Sequence, residues 1–474
     1  MKILFVGSES SPFSKTGGLG DVLGSLPKEL VKMEHDVRVV LPKHGITKMN
    51  FNTLMEPVTN YKVPVGDKLE YAGIEKIVHE GVCYYFIDNE YYFGYRDTLY
   101  GHYDDGERYA FFNNAVLIML EEIDFYPDVI NCNDWQSGLI PYILHKNYKS
   151  KKKYKDIKTL MTIHNIAYQG VFSKDLLKYL NVEYGSELEY DNMINFLKCG
   201  INTADFVTTV SETYAEEILH DYFGYGMNNI LNTRRETLFG IVNGIDYESF
   251  SPEVDKKIFF NFKPYNYLKG KALNKKGLRN YFDLEENKKP VVGVVSRLTE
   301  AKGFDLIQSV IEDLLIDNKI QLVILGSGDS NIEGYFEELR KRHPNNVGVY
   351  IGYSDSMARK IYAGSDFFLM PSRFEPCGLA QLISLKYGTI PIVRRTGGLK
   401  DTIIPYNKYT LEGNGFGFDD YNDQDMKNTI SFATDIFKNK KLWNPLVKKA
   451  MLQDFSWRQS ALKYVDLYRK LKGE

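Results

Sequence analysis

The chain has 474 residues, 43% of them hydrophobic, and a formal net charge of −3. That length suits two or three domains, and the near-neutral balance gives no electrostatic reason to expect a nucleic acid or an acidic membrane as partner. The apolar runs all fall short of the roughly 20 residues that cross a bilayer, so no membrane partner is expected.

The chain opens on KILFVGS (2–8), one basic residue and a short apolar run. The run is too short for a signal peptide and no A-x-A site follows, so it reads as a buried strand. SKTGGLGDV (14–22) leads into a helical pattern, and DVRVVLP (36–42) is the second strand. CYYFID (83–88), DVINCND (128–134) and TLMTIHN (159–165) read similarly. The basic run KNYKSKKKYKD (146–156) is a solvated face before a strand. The polar, proline-containing VNGIDYESFSPEVD (242–255) marks a break.

A second series follows: PVVGVVSRL (290–298), QLVILGSG (321–328), VGVYIGY (347–353), DFFLMPS (366–372) and TIPIVRR (389–395). Helical patterns at 303–315, 330–342 and 377–388 separate them. FSWRQSALKYVDLYRKL (455–471) is an amphipathic helix, expected to pack back over the domain junction. Strands alternating with helices predict an α/β fold with mostly parallel sheets. The expectation is two Rossmann-like doubly wound domains facing across a cleft, residues 1–245 and 246–455. Residues 456–474 form a C-terminal helix that returns to the N-terminal domain.

Cys83, Cys132, Cys199 and Cys377 lack the paired spacing of a zinc site or a disulfide frame, so a reducing, cytoplasmic location is expected. The 35 tyrosines suit flat amphipathic ligands such as sugars, and suit a core equally.

The first glycine loop fails two familiar tests. A P-loop has its lysine after the glycines, and Lys15 precedes them. Gly18, Gly20 and Gly24 are one residue too widely spaced for a dinucleotide fingerprint, which leaves an oxidoreductase only as a rival reading. The physics survives without either label. Gly17 and Gly18 lack Cβ atoms, so backbone can approach a ligand closely. A helix opening near Leu19 offers unpaired N–H groups to phosphate, and Lys15 adds a full charge. The alternative is a plain strand-to-helix turn with a solvent lysine. The pattern recurs as Arg395-Thr396-Gly397-Gly398-Leu399-Lys400-Asp401. Either two ligand loops face each other across the cleft, or glycine-rich turns are alike by chance.

Arg297 and Lys302, in SRLTEAKGF (296–304), flank another strand-to-helix junction. With Lys15 they could clamp a diphosphate. No carboxylate cluster has Mg²⁺ spacing, so no metal is expected. In PSRFEPCGLAQ (371–381), Glu375 precedes a helix expected to open at Gly378. Its carboxylate suits sugar hydroxyls or developing positive charge, and a helix-capping role is the alternative. Cys377 has no histidine near it in sequence and reads as a small buried or site-lining thiol.

KTGGLGDV, VNGIDYESFSPEVD, VSRLTEAKGFD, PSRFEPCGLAQL and YGTIPIVRRTGGLKDT together resemble bacterial glycogen synthases and plant starch synthases. The similarity runs over essentially the whole chain. It implies the GT-B arrangement, with acceptor glucan on the N-terminal domain and nucleotide sugar on the C-terminal one. It implies transfer of glucose from ADP-glucose to the non-reducing 4-hydroxyl of an α-1,4-glucan such as glycogen, with retained configuration and neither metal nor cofactor. By motif, Lys15, Arg297 and Lys302 resemble diphosphate ligands, and Gly17 and Gly18 the backbone platform beside sugar and phosphate. His164 resembles the histidine beside the transferred glucose, and Asn243 and Glu375 resemble residues that hold it. Asp134 and Trp135 match a cleft segment, and Tyr353 an aromatic packed on adenine. Asp21, Asn165, Cys377, Gly378 and Leu379 are expected to contact substrate within the same motifs.

Departures from the family pattern are few. Asn131, Asn133 and Gln136 stand where many relatives carry histidines, and Ala380 stands for a threonine. In YYFGYRDTLYG (91–101), Tyr92 and Tyr95 are candidate stacking platforms for the glucan, and a loop packed on its own domain is the alternative. Three rival functions remain: a synthase preferring UDP-glucose, an inactive glycan-binding homologue and the nucleotide-dependent oxidoreductase.

Overall fold

In the computed structural model, which describes residues 1–317 and 319–474, β1 (Lys2–Val6) has Ile3, Leu4, Phe5 and Val6 wholly buried. A parallel strand covered by helices on both faces requires that. The other strands of its unit are β2 (Asp36–Pro42), β3 (Glu56–Val65), β4 (Lys68–His79), β5 (Val82–Asp88), β6 (Val129–Asn133) and β7 (Lys158–Ile163). A small separate sheet holds β8 (Val171–Phe172), β9 (Glu189–Tyr190) and β10 (Met193–Asn195). β11 (Phe206–Thr209) and β12 (Leu238–Gly240) complete the main sheet, in the order β12-β11-β7-β6-β1-β2-β5-β4-β3. It is parallel except at β5-β4-β3.

β3 and β4 form a hairpin through Gly66-Asp67, with Val65 opposite Lys68 and Gly66 at φ +61°. Glycine adopts that conformation without strain. The sequence analysis assigned no strand here. β3 is an edge strand whose mostly open residues give no buried run to read.

The chain forms two units, Met1–Asn243 with Trp457–Glu474, and Gly244–Ser456. The second carries β13 (Val291–Val295), β14 (Gln321–Gly326), β15 (Val347–Ile351), β16 (Phe367–Met370), β17 (Ile390–Arg394) and β18 (Phe416–Phe418). Their order is β15-β14-β13-β16-β17-β18, all parallel. Each unit is therefore a Rossmann-like α/β domain. In each the strand order reverses beside the first strand, between β2 and β6 around β1 and between β14 and β16 around β13. Ligands of open α/β sheets bind at the carboxyl ends of strands at such a reversal.

The helical patterns match helices Phe304–Ile316 and Ser330–Arg342 closely, whereas the third helix is shorter than read, Ala380–Lys386. The last helix, Trp457–Lys472, belongs to the first unit. It buries Trp457, Ala461, Tyr464 and Tyr468 against Leu19, Leu23, Leu26 and Leu30 of helix Gly18–Lys32. Burying each large side chain contributes about 1.5–3 kcal/mol. The Tyr468 hydroxyl also accepts a hydrogen bond from Asn131 Nδ2 at 2.8 Å inside the core. So the C-terminal helix is fastened to β6 by a polar bond as well as by packing.

Tyr468→Phe strands that Asn131 donor. It should lower the unfolding free energy by about 1–3 kcal/mol, read as a shifted urea midpoint at unchanged slope. An unshifted midpoint would mean that packing alone fastens the helix.

Candidate active site

In the first unit the site is built beyond β1, β6 and β7. Glu9 follows β1 and is only 2% exposed. Its carboxylate accepts hydrogen bonds from the Thr16 N–H and hydroxyl, both at 2.6 Å, and from Gly17 N–H and Gly20 N–H, both at 3.1 Å. These bonds compensate a buried charge that would otherwise be costly. They also correct the sequence reading: the protein's own carboxylate occupies amides at the start of helix Gly18–Lys32 that had been reserved for phosphate. Close approach to the loop survives. A Cβ on Gly18 would meet nothing within 4 Å, and one on Gly17 only Glu9 Oε1 at 3.7 Å. Lys15 Nζ donates to Asp21 Oδ1 at 2.6 Å, so Asp21 positions that lysine.

Beyond β6, Asp134 adopts φ +55° and ψ −176°, a conformation rare for a residue with a Cβ. Asp134 Oδ1 accepts from His164 N–H at 2.8 Å. Enclosure by protein pushes its carboxyl up to about 7, against the opposite pull of the His164 and Asn165 backbone N–H groups. His164 Nε2 lies 2.9 Å from Asn133 Oδ1. Asn133 Nδ2 donates to the carbonyls of Val6 and Asn131, both at 3.1 Å, and so turns its oxygen towards the histidine. That assigns the proton of the neutral ring to Nε2 and leaves Nδ1 as an acceptor. Desolvation pushes the imidazole down to about 3, so it is uncharged at neutral pH. Asn165 Oδ1 accepts from Ala167 N–H at 3.0 Å and shapes the turn after β7.

Two expected substrate contacts are corrected. Trp135 is core: its ring packs 5.0 Å from Tyr109 and 5.6 Å from Phe172. Gly170, at φ +64°, passes so close that a Cβ there would lie 2.4 Å from that indole. Tyr92 is also buried, 4.9 Å from Phe111, with its hydroxyl donating to Glu107 Oε1 at 2.7 Å. The helical turn Glu90–Gly94 points Tyr92 and Phe93 inward and leaves Tyr91 and Tyr95 outside. Of the two proposed platforms, Tyr95 alone is open to a glucan. Asn243 is buried, and its Oδ1 has no hydrogen-bond partner among the described residues.

In the second unit, a cavity of about 190 Å³ opens at the carboxyl ends of β13 and β16, at the reversal point. Arg297, Lys302, Ser372, Glu375, Gly378 and Leu379 line it. Lys302 Nζ donates to Glu375 Oε2 at 2.6 Å, and Ser372 Oγ donates to the same oxygen at 2.9 Å. The guanidinium of Arg297 is exposed on the wall and makes no hydrogen bond or ion pair among the described residues. Gly303, at φ +77°, brings the Lys302 turn against Pro371; a Cβ there would sit 2.1 Å from the Pro371 carbonyl oxygen.

The second glycine pair has a different job from the first. Gly398 N–H donates to the Glu375 carbonyl at 3.1 Å, and a Cβ on Gly397 or Gly398 would lie 2.0 Å or 2.1 Å from the carbonyl oxygens of Glu375 or Cys377. These glycines support the backbone beneath Glu375. Cys377 is 6% exposed, with its carbonyl taking the Gln381 amide at 3.1 Å. Tyr353, after β15, is 86% exposed and free to cover a flat ring.

Residues 2–233 match the family model for the starch synthase catalytic domain, and residues 280–449 the one for glycosyl transferases group 1. The chain is 48% identical to a glycogen synthase of Clostridium kluyveri, over 99% of this chain and 100% of that one. It is 45% identical to one of Anoxybacillus flavithermus, over 99% and 98%. This chain belongs to the glycogen and starch synthase family. Among solved structures it is similar to the catalytic domain of starch synthase IV from Arabidopsis thaliana bound to ADP and acarbose, with TM-score 0.90, 31% identity, and 100% and 99% of the chains covered.

In this glycogen and starch synthase family member, Glu9 lies outside every motif that the sequence reading singles out. No local pattern marks an acid eight residues before Gly17; only the folded loop shows what it holds.

Glu9→Gln keeps the size of the side chain but turns an amino group towards the Thr16 donors. Amide exchange at Thr16, Gly17 and Gly20 should speed up by about fivefold or more, with the rest of the unit unchanged. Unaltered exchange at those residues would contradict the anchoring role. The His164 ring resonances should not titrate between about pH 5 and 8, since burial favours the neutral form throughout. A midpoint near 6.5, the ordinary histidine value, would show the ring to be solvated.

Proposed function

We propose that this chain transfers glucose from ADP-glucose to the non-reducing 4-hydroxyl of an α-1,4-glucan, glycogen in the cell, with retained anomeric configuration. The observation that carries the reading is the cavity at the β13/β16 reversal. There an unpaired arginine and a lysine-held glutamate share one small space. Family membership supplies the reaction class: its members named above are glycogen synthases, and the Arabidopsis neighbour holds ADP and acarbose. The four free thiols support a reducing cytoplasm as its place of work.

In this reading water is excluded from the donor while the glucosyl group moves. The nucleotide sugar lies on the second unit, with Tyr353 over adenine, and the acceptor glucan approaches from the first, along Tyr95. Arg297, Lys302 and Lys15 take the diphosphate. Gly17 and Gly18 let backbone stand against sugar and phosphate, with Asp21 steering Lys15. Backbone groups at Cys377, Gly378 and Leu379 complete the second unit's wall.

The reacting bond joins the glucose C1 to a phosphate oxygen. As it lengthens, negative charge grows on ADP beside the cations and positive charge on the sugar beside the Glu375 carboxylate. The acceptor 4-hydroxyl attacks C1 from the side the phosphate leaves, and its proton passes to the departing phosphate oxygen. Asn243, with its free carbonyl oxygen, and neutral His164, with Nδ1 open to a hydroxyl proton, hold the glucose. The Asp134 and Asn165 turn fixes that histidine.

Lys302→Ala and Glu375→Ala should each lower kcat by about a hundredfold, roughly 3 kcal/mol; Lys302→Ala, which leaves the buried Glu375 carboxylate with Ser372 alone, should also lower the unfolding temperature. Incubation with radiolabelled ADP-glucose or UDP-glucose and glycogen, followed by recovery of polymer, tests the reaction itself. Label should enter glycogen from ADP-glucose. Incorporation from UDP-glucose alone, or none from either donor, would sink the proposal.

A further inference from the structure

A second cavity in the Gly244–Ser456 unit, of about 550 Å³, lies beside the loop that leads into β13, at the end of the sheet where the strands begin. Helix Tyr267–Tyr281 contributes Lys275, Lys276 and Arg279; the loop before β13 contributes Lys288; and the junction of helices Asp423–Lys438 and Lys440–Leu452 contributes Lys438 and Lys440. Glu286 is the acid among the lining residues. Clefts of this size suit a small molecule rather than a polymer.

The cations differ in how they are held. Lys275 is paired with Asp366 at 2.6 Å, and Arg279 is spent on Gln321, Asn287 and the Lys289 carbonyl at 2.9–3.1 Å. These two belong to the scaffold. Lys276 is 3.9 Å from Glu286, a loose pair, and Lys438 is 3.2 Å from Asp435. Lys288 and Lys440 make no hydrogen bond or ion pair among the described residues.

Like charges would normally spread apart in solvent. Here Phe437 holds two together: Lys440 Nζ lies 3.5 Å from the ring centroid and Lys275 Nζ 5.2 Å from it. Burial pushes the ammonium of Lys440 below its ordinary range, and the charge of Lys275 adds to that, against the pull of Asp366. The cavity thus concentrates positive charge that its own acids do not neutralise, with unused N–H donors from separate chain segments converging on it.

We propose that this cavity is a second binding site, distinct from the candidate active site, for a small anion bearing a phosphoryl group. Lys288, Lys440 and Lys276 donate to the phosphoryl oxygens. Lys275 and Arg279, fixed at that end of the sheet, supply the standing field. A free inorganic phosphate and a phosphorylated sugar present the same group, and the two are separated by experiment. The site needs nothing from the first unit.

The test titrates the full chain calorimetrically with inorganic phosphate and with ribose 5-phosphate at fixed ionic strength, with ADP in excess to fill the candidate active site. The comparison is with the double variant Lys288→Glu, Lys440→Glu, whose changes break no hydrogen bond or ion pair among the described residues; a thermal melt checks that losing the Lys440 contact with Phe437 leaves the chain folded. The parent should show one binding event that the variant loses or weakens by about tenfold or more. Glucosyl transfer without added anion should be the same in both. Tighter binding of ribose 5-phosphate identifies an organic phosphate as occupant, and tighter inorganic phosphate an inorganic one. Equal binding by parent and variant overturns the site. So does complete displacement by chloride at the same ionic strength, which marks solvated lysines gathering counterions. Binding of a polyanion such as heparin, with neither small probe taken up, overturns it too.

Discussion

A buried glutamate carboxylate held by donors from a neighbouring turn organises the site in each unit. Glu9 is surrounded by N–H groups and a hydroxyl of the Thr16–Gly20 turn, and Glu375 by the Lys302 ammonium and the Ser372 hydroxyl. A carboxylate taken out of water must recover its solvation from such partners. The partners are thereby fixed as well. That is how flexible glycine-bearing loops at strand ends acquire a defined geometry: the charge at the centre of each loop leaves the surrounding groups few other arrangements.

The two acids then differ in what they leave over. Glu9 uses its oxygens on the loop itself, which makes it a positioning residue. Glu375 gathers its donors on one oxygen, Oε2, and sits in a cavity beside an unpaired arginine. The first arrangement supports a surface for close approach at Gly17 and Gly18. The second keeps charge ready to act on a ligand. In the first unit burial acts selectively, with His164 held neutral and Asp134 pushed towards its neutral form by enclosure.

Corrections to the sequence reading share one cause. Resemblance puts Trp135 in a cleft segment and an aromatic-rich stretch makes Tyr92 a candidate platform, yet both rings point into their own unit. Sequence gives the neighbours of an aromatic but not the direction of its ring. The two glycine pairs look alike in sequence and differ in use: Gly17 and Gly18 face open space, whereas Gly397 and Gly398 make room for the backbone beneath Glu375. A missing Cβ announces that something comes close, without saying whether it is a ligand or the protein itself. The missed hairpin of β3 and β4 lies at the sheet edge, where apolar alternation weakens.

Sequence by itself determined the α/β class, five parallel strands of each main sheet with most of their limits, and the family, but not the short outer strands β11, β12 and β18. Those features rest on local patterns: buried runs of β-branched and aromatic residues, helical spacing, and glycines and cations at fixed distances along the chain. Tertiary structure alone decided that Glu9 anchors the first loop, that Lys302 grips Glu375, that Asn133 sets the histidine tautomer and that the last helix is tied to β6 through Tyr468. Each joins residues whose meeting depends on strand order and on the turn of the backbone at a strand end. Burial, which moved the charges of His164 and Asp134, is likewise a property of the packed molecule and is written in no short stretch of chain.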